Sequence, residues 1–138
     1  MRILLSLAVL SKSVSYSTSC TGTAEPTKPV PFCYNGSTDV LGFSTKALIQ
    51  VNDFTAHKGH VDIFVSGVFQ KYCKNLSFIH TSGTQTLNIS IAKCIDTVNI
   101  NAKYCSDQDK IALLVNISHL PIDPIHVSLN SSTCKHLL

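Results

Sequence analysis

Apolar side chains recur at every second position along much of this chain. Ala47, Ile49 and Val51 alternate with Leu48 and Gln50 and, after turn residues 57–59, Val61, Ile63 and Val65 alternate with Asp62, Phe64 and Ser66. Similar runs follow at 76–80, 86–91, 97–104, 110–118 and 125–129. A period of two sends alternate side chains to opposite faces of a strand, and no 3.6-residue period is held for the length of a helix. The runs 61–69 and 111–117 are apolar on both faces in places, as strands central to a packed sheet are. The pattern predicts an all-β fold, a small immunoglobulin-like sandwich of about seven antiparallel strands.

Composition supports strands. Val, Ile and Thr make up 35 of 138 residues and glutamate occurs once, at Glu25. β-Branched side chains suit a pleated surface and lose rotamer freedom in helices. Residues 20–39 are rich in Thr, Pro, Gly and Ser, and Pro26, Pro29 and Pro31 lie too close together for a helix or a central strand. The expected organisation is a leader at 1–17, an extended Pro/Thr-rich arm at 18–45 and a sandwich core at 46–138.

The leader reading rests on order. Arg2 precedes an apolar run at 3–10 and a stretch of small residues at 11–19, the sequence of features in a secretory signal, with cleavage after Ser15, Ser17 or Ser19. The apolar run is about half of what spans a bilayer, and no second long run follows, so a secreted product without a stable membrane anchor is expected. Six cysteines, Cys20, Cys33, Cys73, Cys94, Cys105 and Cys134, all lie beyond the leader and read as three disulfides in an oxidising compartment. Their spacing leaves the connectivity open.

Asparagine points to the same compartment. Five of eight Asn residues, Asn35, Asn75, Asn88, Asn116 and Asn130, begin Asn-x-Ser/Thr sequons, although a Ser plus Thr content of 29 in 138 predicts fewer than two by chance. Glycans occupy such sites only on secreted surfaces. Asn88, Asn116 and Asn130 each fall on the polar parity of a predicted strand, so the strand reading places them outward.

Charge excludes nucleic acid as a partner. Without the leader's Arg2 and Lys12 the formal charge of +3 drops to +1, and no arginine remains. Phosphate recognition leans on Arg forks and basic stripes, and the lysines here are dispersed. Catalysis is not expected either. No Gly-x-Ser-x-Gly elbow or phosphate-binding glycine loop occurs, and a single glutamate cannot form a paired-glutamate hydrolase. His57 and His60, near Asp62, form a His-x-x-His, but a glycine-containing turn carries them without a glutamate base, so exposed turn histidines are the reading and neither metal nor cofactor is expected. Phe64 and Val68 share the strand face opposite Val61, Ile63 and Val65. Such residues either fill the core or border a ligand cavity between two sheets, and the lining expected of such a cavity is Phe64, Val68, Phe78 and Leu114.

The carboxyl half resembles the ML lipid-recognition family of secreted sterol carriers and mite allergens. The similarity lies in a nearby cysteine pair (Cys94 and Cys105), a strand at 111–117, a connection containing Pro121 and Pro124, and a last cysteine, Cys134. It covers about half of the mature chain, and the family's Cys-Pro-Leu and Lys-Gly-x-x-Tyr signatures are absent. The resemblance implies two antiparallel sheets splayed apart with a lipid or sterol between them. The pairing expected is Cys94 with Cys105 across the turn between adjacent strands, an early cysteine with Cys134, as in the family's pattern, and the other early cysteine with Cys73. The functional expectation is a secreted, non-catalytic carrier or sensor of an apolar ligand. The alternative is a host-directed or immune-modulating module that binds an extracellular protein through whatever patch its glycans leave bare.

Overall fold

In a computed structural model, which describes residues 20–67, 69–119 and 121–134, the alternating runs become eight strands. They are β1 (Phe32–Val40), β2 (Phe43–Thr55), β3 (Lys58–Ser66), β4 (Lys71–His80), β5 (Thr86–Ile89), β6 (Val98–Cys105), β7 (Lys110–Ile117) and β8 (Ile125–Ser132), with a 3-10 turn at Ile91–Lys93 between β5 and β6. Each strand pairs antiparallel with the next, and β8 returns to β1 through Cys33↔Ser132, Tyr34↔Ser131 and Asn35↔Asn130, closing a barrel. Closure removes the free edges that invite pairing with other chains.

The expected seven-strand sandwich is thus corrected to an eight-stranded up-and-down barrel. The strands read from the sequence are β2 to β8; the missing one is β1, inside the stretch assigned to the arm. Of the described part of that stretch, residues 20–31 are the arm, and the expected leader at 1–17 lies outside the described residues. From Phe32 the chain enters β1, and Leu41 and Gly42, with φ of 53° and 84°, turn it back into β2 as a two-residue hairpin. Without β1 the last strand would pair only with β7, and the sheet would stay open.

Two irregularities bend the sheet toward closure. Register shifts occur between Val51 and Asp53 in the β2–β3 pair and between Val61 and Ile63 in the β3–β4 pair. Such bulges increase local twist and turn barrel corners. Asp62 pins both, although its carboxylate lies on the outer side of the sheet, because one oxygen accepts from Asn52 Nδ2 (2.9 Å) and from the Asn75 backbone N–H (2.7 Å).

The disulfides are Cys20–Cys105, Cys33–Cys134 and Cys73–Cys94, with Cα separations of 5.9, 5.1 and 5.8 Å. The early cysteine bonded to Cys134 is Cys33, at the β8–β1 seam. The expected Cys94–Cys105 and Cys73 pairings are overturned. Cys94 and Cys105 stand at opposite ends of β6, whose seven steps at ~3.3 Å span about 23 Å, while a disulfide tolerates at most ~7 Å between Cα atoms. Cys20–Cys105 instead ties the arm to the end of β6, and Cys73–Cys94 ties the 3-10 turn to β4. Sequon residues Asn35, Asn75, Asn88 and Asn130 are exposed and Asn116 is half-buried between inward-facing Val115 and Ile117, the outward parity the strand reading requires.

Candidate functional site

Up-and-down topology gives the barrel two unlike ends. At one end lie the arm, the β2–β3, β4–β5 and β6–β7 turns, and large aromatic side chains. Phe54 stacks on Phe78 with centroids 5.5 Å apart, Tyr34 meets Tyr104 edge-on at 6.1 Å, and Phe32 meets Tyr34 at 5.9 Å. Lys28 of the arm lies over the rings of Phe32 and Tyr34, at 5.1 and 4.6 Å. Rings of this size meet across an eight-stranded barrel and fill it.

Asp109 organises the polar part of this plug. One oxygen accepts from the hydroxyls of Tyr34 (2.8 Å) and Tyr104 (2.7 Å), and the other accepts from Lys28 Nζ (2.8 Å). Burial works against the carboxylate, but the hydrogen bonds from Lys28, Tyr104 and Tyr34 outweigh it and hold its pKa at about 2. Burial, followed by the bond to Asp109, pushes Tyr104 up to about 12 and raises Tyr34 as well. Both phenols therefore stay protonated and keep donating. The arm is held further by Thr21 and Ala24, which donate to Asp107 and Ser106, and by Gln85 Nε2, which donates to the carbonyls of Cys20 and Gly22.

At the other end the inward positions carry short side chains. Val40, Ala47, Val65, Ile100, Val115 and Val127 are among the lining, and they do not meet across the barrel: the centre of a water-sized sphere can roam about 60 Å³ between them. Apart from Thr38 and Thr45 every lining side chain is hydrocarbon, and the Thr45 hydroxyl donates to the Phe43 carbonyl (3.3 Å). Ile91 and Ile95, on and just after the 3-10 turn stapled by Cys73–Cys94, also border the cavity. Phe69, Ile95, Val98 and Ile117 line both the cavity and an adjoining surface groove, where Lys71, Asp96 and His119 supply the polar groups. At the same end Leu41 and Phe43 leave 57% and 58% of their surface exposed, so the rim is apolar too.

The structure separates the four residues expected to line a cavity. Phe64 and Leu114 point outward, because their neighbours Ile63, Val65, Leu113 and Val115 occupy the inner face. Phe64 packs instead against Tyr72 (6.3 Å, edge-on) and lies opposite Leu48 on the outer surface. Phe78 is inside but at the plugged end. Val68 lies outside the described residues. The residues missed, Thr38, Val40 and Thr45, belong to the hairpin read as arm; the alternation of Tyr34, Thr38 and Val40 before Leu41–Gly42 was the available signal.

The histidines divide differently from the sequence spacing. His60 Nδ1 contacts Asp53 (3.0 Å), whereas His57, in the β2–β3 turn, contacts Glu25 of the arm, and so does His80 at the end of β4 (2.7 Å). Comparison with protein-family models, with curated proteins and with solved structures finds no match to the chain.

Proposed function

We propose that this protein is a secreted, non-catalytic carrier or sensor that holds an apolar ligand in the open half of its barrel. The observation that carries the reading is the asymmetry of the interior: aromatic and capped at one end, aliphatic and partly empty at the other. An apolar void that water cannot hydrogen-bond within gains from hydrocarbon at roughly 25 cal/mol per Å² buried. A space this narrow suits a single acyl chain better than a fused-ring sterol. The groove at Phe69 then leaves a polar head near Lys71 and His119. Three disulfides and outward sequons fit an extracellular setting, where such a ligand needs a carrier.

A second reading, capture of an extracellular protein, is favoured by one feature. Leu48, Phe64 and Tyr72 form a cross-strand row on the outer surface of β2, β3 and β4. Native mass spectrometry of the protein secreted from eukaryotic cells, followed by organic extraction, distinguishes the two. A co-purifying lipid that survives Phe64→Asp supports the internal carrier. A lipid-free protein in which Phe64→Asp abolishes binding to a cell-surface protein overturns it.

A further inference from the structure

The arm-side end of the barrel brings together three donors that are far apart in sequence. Glu25 comes from the arm, His57 from the β2–β3 turn and His80 from the end of β4, and one ligand atom of each lies within 4.8 Å of the others. His80 is 2% exposed, and its Nε2 lies 2.7 Å from the Thr84 carbonyl. A carbonyl only accepts, so Nε2 carries a proton, and in the neutral ring Nδ1 is left as a bare lone pair. That lone pair faces the Glu25 carboxylate at 2.7 Å. Two acceptors this close repel unless they share a proton or, after a small outward shift, a metal ion. His57 Nδ1 contacts the same carboxylate oxygen from the exposed side.

We propose that Glu25, His57 and His80 form a Zn²⁺ site. Two imidazoles and a carboxylate are borderline-soft and hard donors that suit zinc, which binds such groups tetrahedrally. The N–H of a ligating histidine ring is commonly held by a carbonyl, which sets the tautomer and the ring's direction, and Thr84 does this for His80. The burial pattern follows the same logic: His80 is enclosed, Glu25 half-buried and His57 exposed, so the fourth position faces solvent and takes water. A bound ion would link the arm, the β2–β3 turn and β4. The backbone already joins two of them, with His80 N–H donating to the His57 carbonyl at 2.8 Å. The site lies at the plugged end, away from the apolar cavity, and stands or falls independently of the carrier reading. A charged His80 with an Nδ1–H tautomer of His57 is the metal-free arrangement that competes with it.

The test uses the full secreted chain, stripped with a chelator and titrated with Zn²⁺ by calorimetry and with Co²⁺ by visible absorption. One equivalent of Zn²⁺ and the intense spectrum of tetrahedral Co²⁺ are expected. His57→Asn and Glu25→Gln, both at accessible positions and checked for folding by circular dichroism, should weaken binding by about 100-fold or more. His60→Asn, which removes the neighbouring His60–Asp53 contact, should leave it unchanged. Zinc should also raise the melting temperature of the parent and of His60→Asn but not of Glu25→Gln. No uptake, an octahedral Co²⁺ spectrum, or equal binding by the parent and His57→Asn would overturn the site and leave the metal-free pair.

Discussion

Filling the cavity is the most direct trial of the carrier reading, and Ala47→Leu is the substitution suited to it. Ala47 lies on β2 between Gly36 of β1 and Val65 of β3, and its side chain borders the void. Leucine adds three carbons. On this measure a single water needs only about 10–15 Å³, so the 60 Å³ present has room for several heavy atoms. At ~0.8 kcal/mol per buried methylene the gain is at most about 2 kcal/mol, and freezing the leucine rotamers removes about 0.5–1 kcal/mol. A net gain of about 1–1.5 kcal/mol raises Tm by roughly 5 °C for a domain of this size. Calorimetry of the delipidated protein reads that shift, and extraction of the secreted protein reads lipid retention, which should drop at least about tenfold because occupant and side chain compete for one space. A fall in Tm would mean that no usable void exists. A rise in Tm with undiminished lipid would mean that the ligand sits elsewhere.

Three further outcomes follow from the same geometry. Asp109 has its pKa depressed from an ordinary 3.8 to about 2, so the stability it contributes is complete above about pH 4 and lost as pH falls through 2. Because the Lys28–Asp109 pair is about a third exposed, this is worth about 1 kcal/mol after screening, and Asp109→Asn should flatten urea-measured stability between pH 4 and 2 by that amount. Ala56 and His57 both have positive φ (54° and 69°) in a two-residue turn, an unfavourable state for alanine. Ala56→Asn should therefore stabilise by about 0.5–1 kcal/mol in thermal melts, and a lower Tm would refute the turn assignment. Replacing Cys73 and Cys94 together by serine opens a crosslink of sequence separation 21, which should cost about 2–4 kcal/mol in denaturant unfolding. It should also speed ligand loss from the mouth, because the 3-10 turn beside the cavity is no longer stapled to β4.

What the sequence determined by itself was local and periodic. Side chains alternate along a strand whatever it pairs with, so Ile49, Ile63 and Leu113 could be assigned to the core and Asn88, Asn116 and Asn130 to the surface before any partner strand was known. Cysteine number and position were legible for the same reason, as was the strand character of β2 to β8. Everything that depends on which strand lies beside which was decided by tertiary structure. The strand Phe32–Val40 looked like arm because Pro26, Pro29 and Pro31 precede it and Gly36 interrupts its apolar side chains. Pairing along its whole length with β2 makes it a strand, and its shorter pairing with β8 turns the sheet into a barrel. Closure in turn decided the disulfides, because Cys94 and Cys105 are near in sequence but separated by the length of β6. It decided the cavity as well: β3 is apolar on both faces, so alternation allowed a second apolar layer at Phe64, and only closure into one barrel left Phe64 outside while Val65 lines the void. Glu25, His57 and His80 illustrate the limit most clearly, since three donors from an arm, a turn and a strand end share no spacing and meet only because the arm folds back across the barrel.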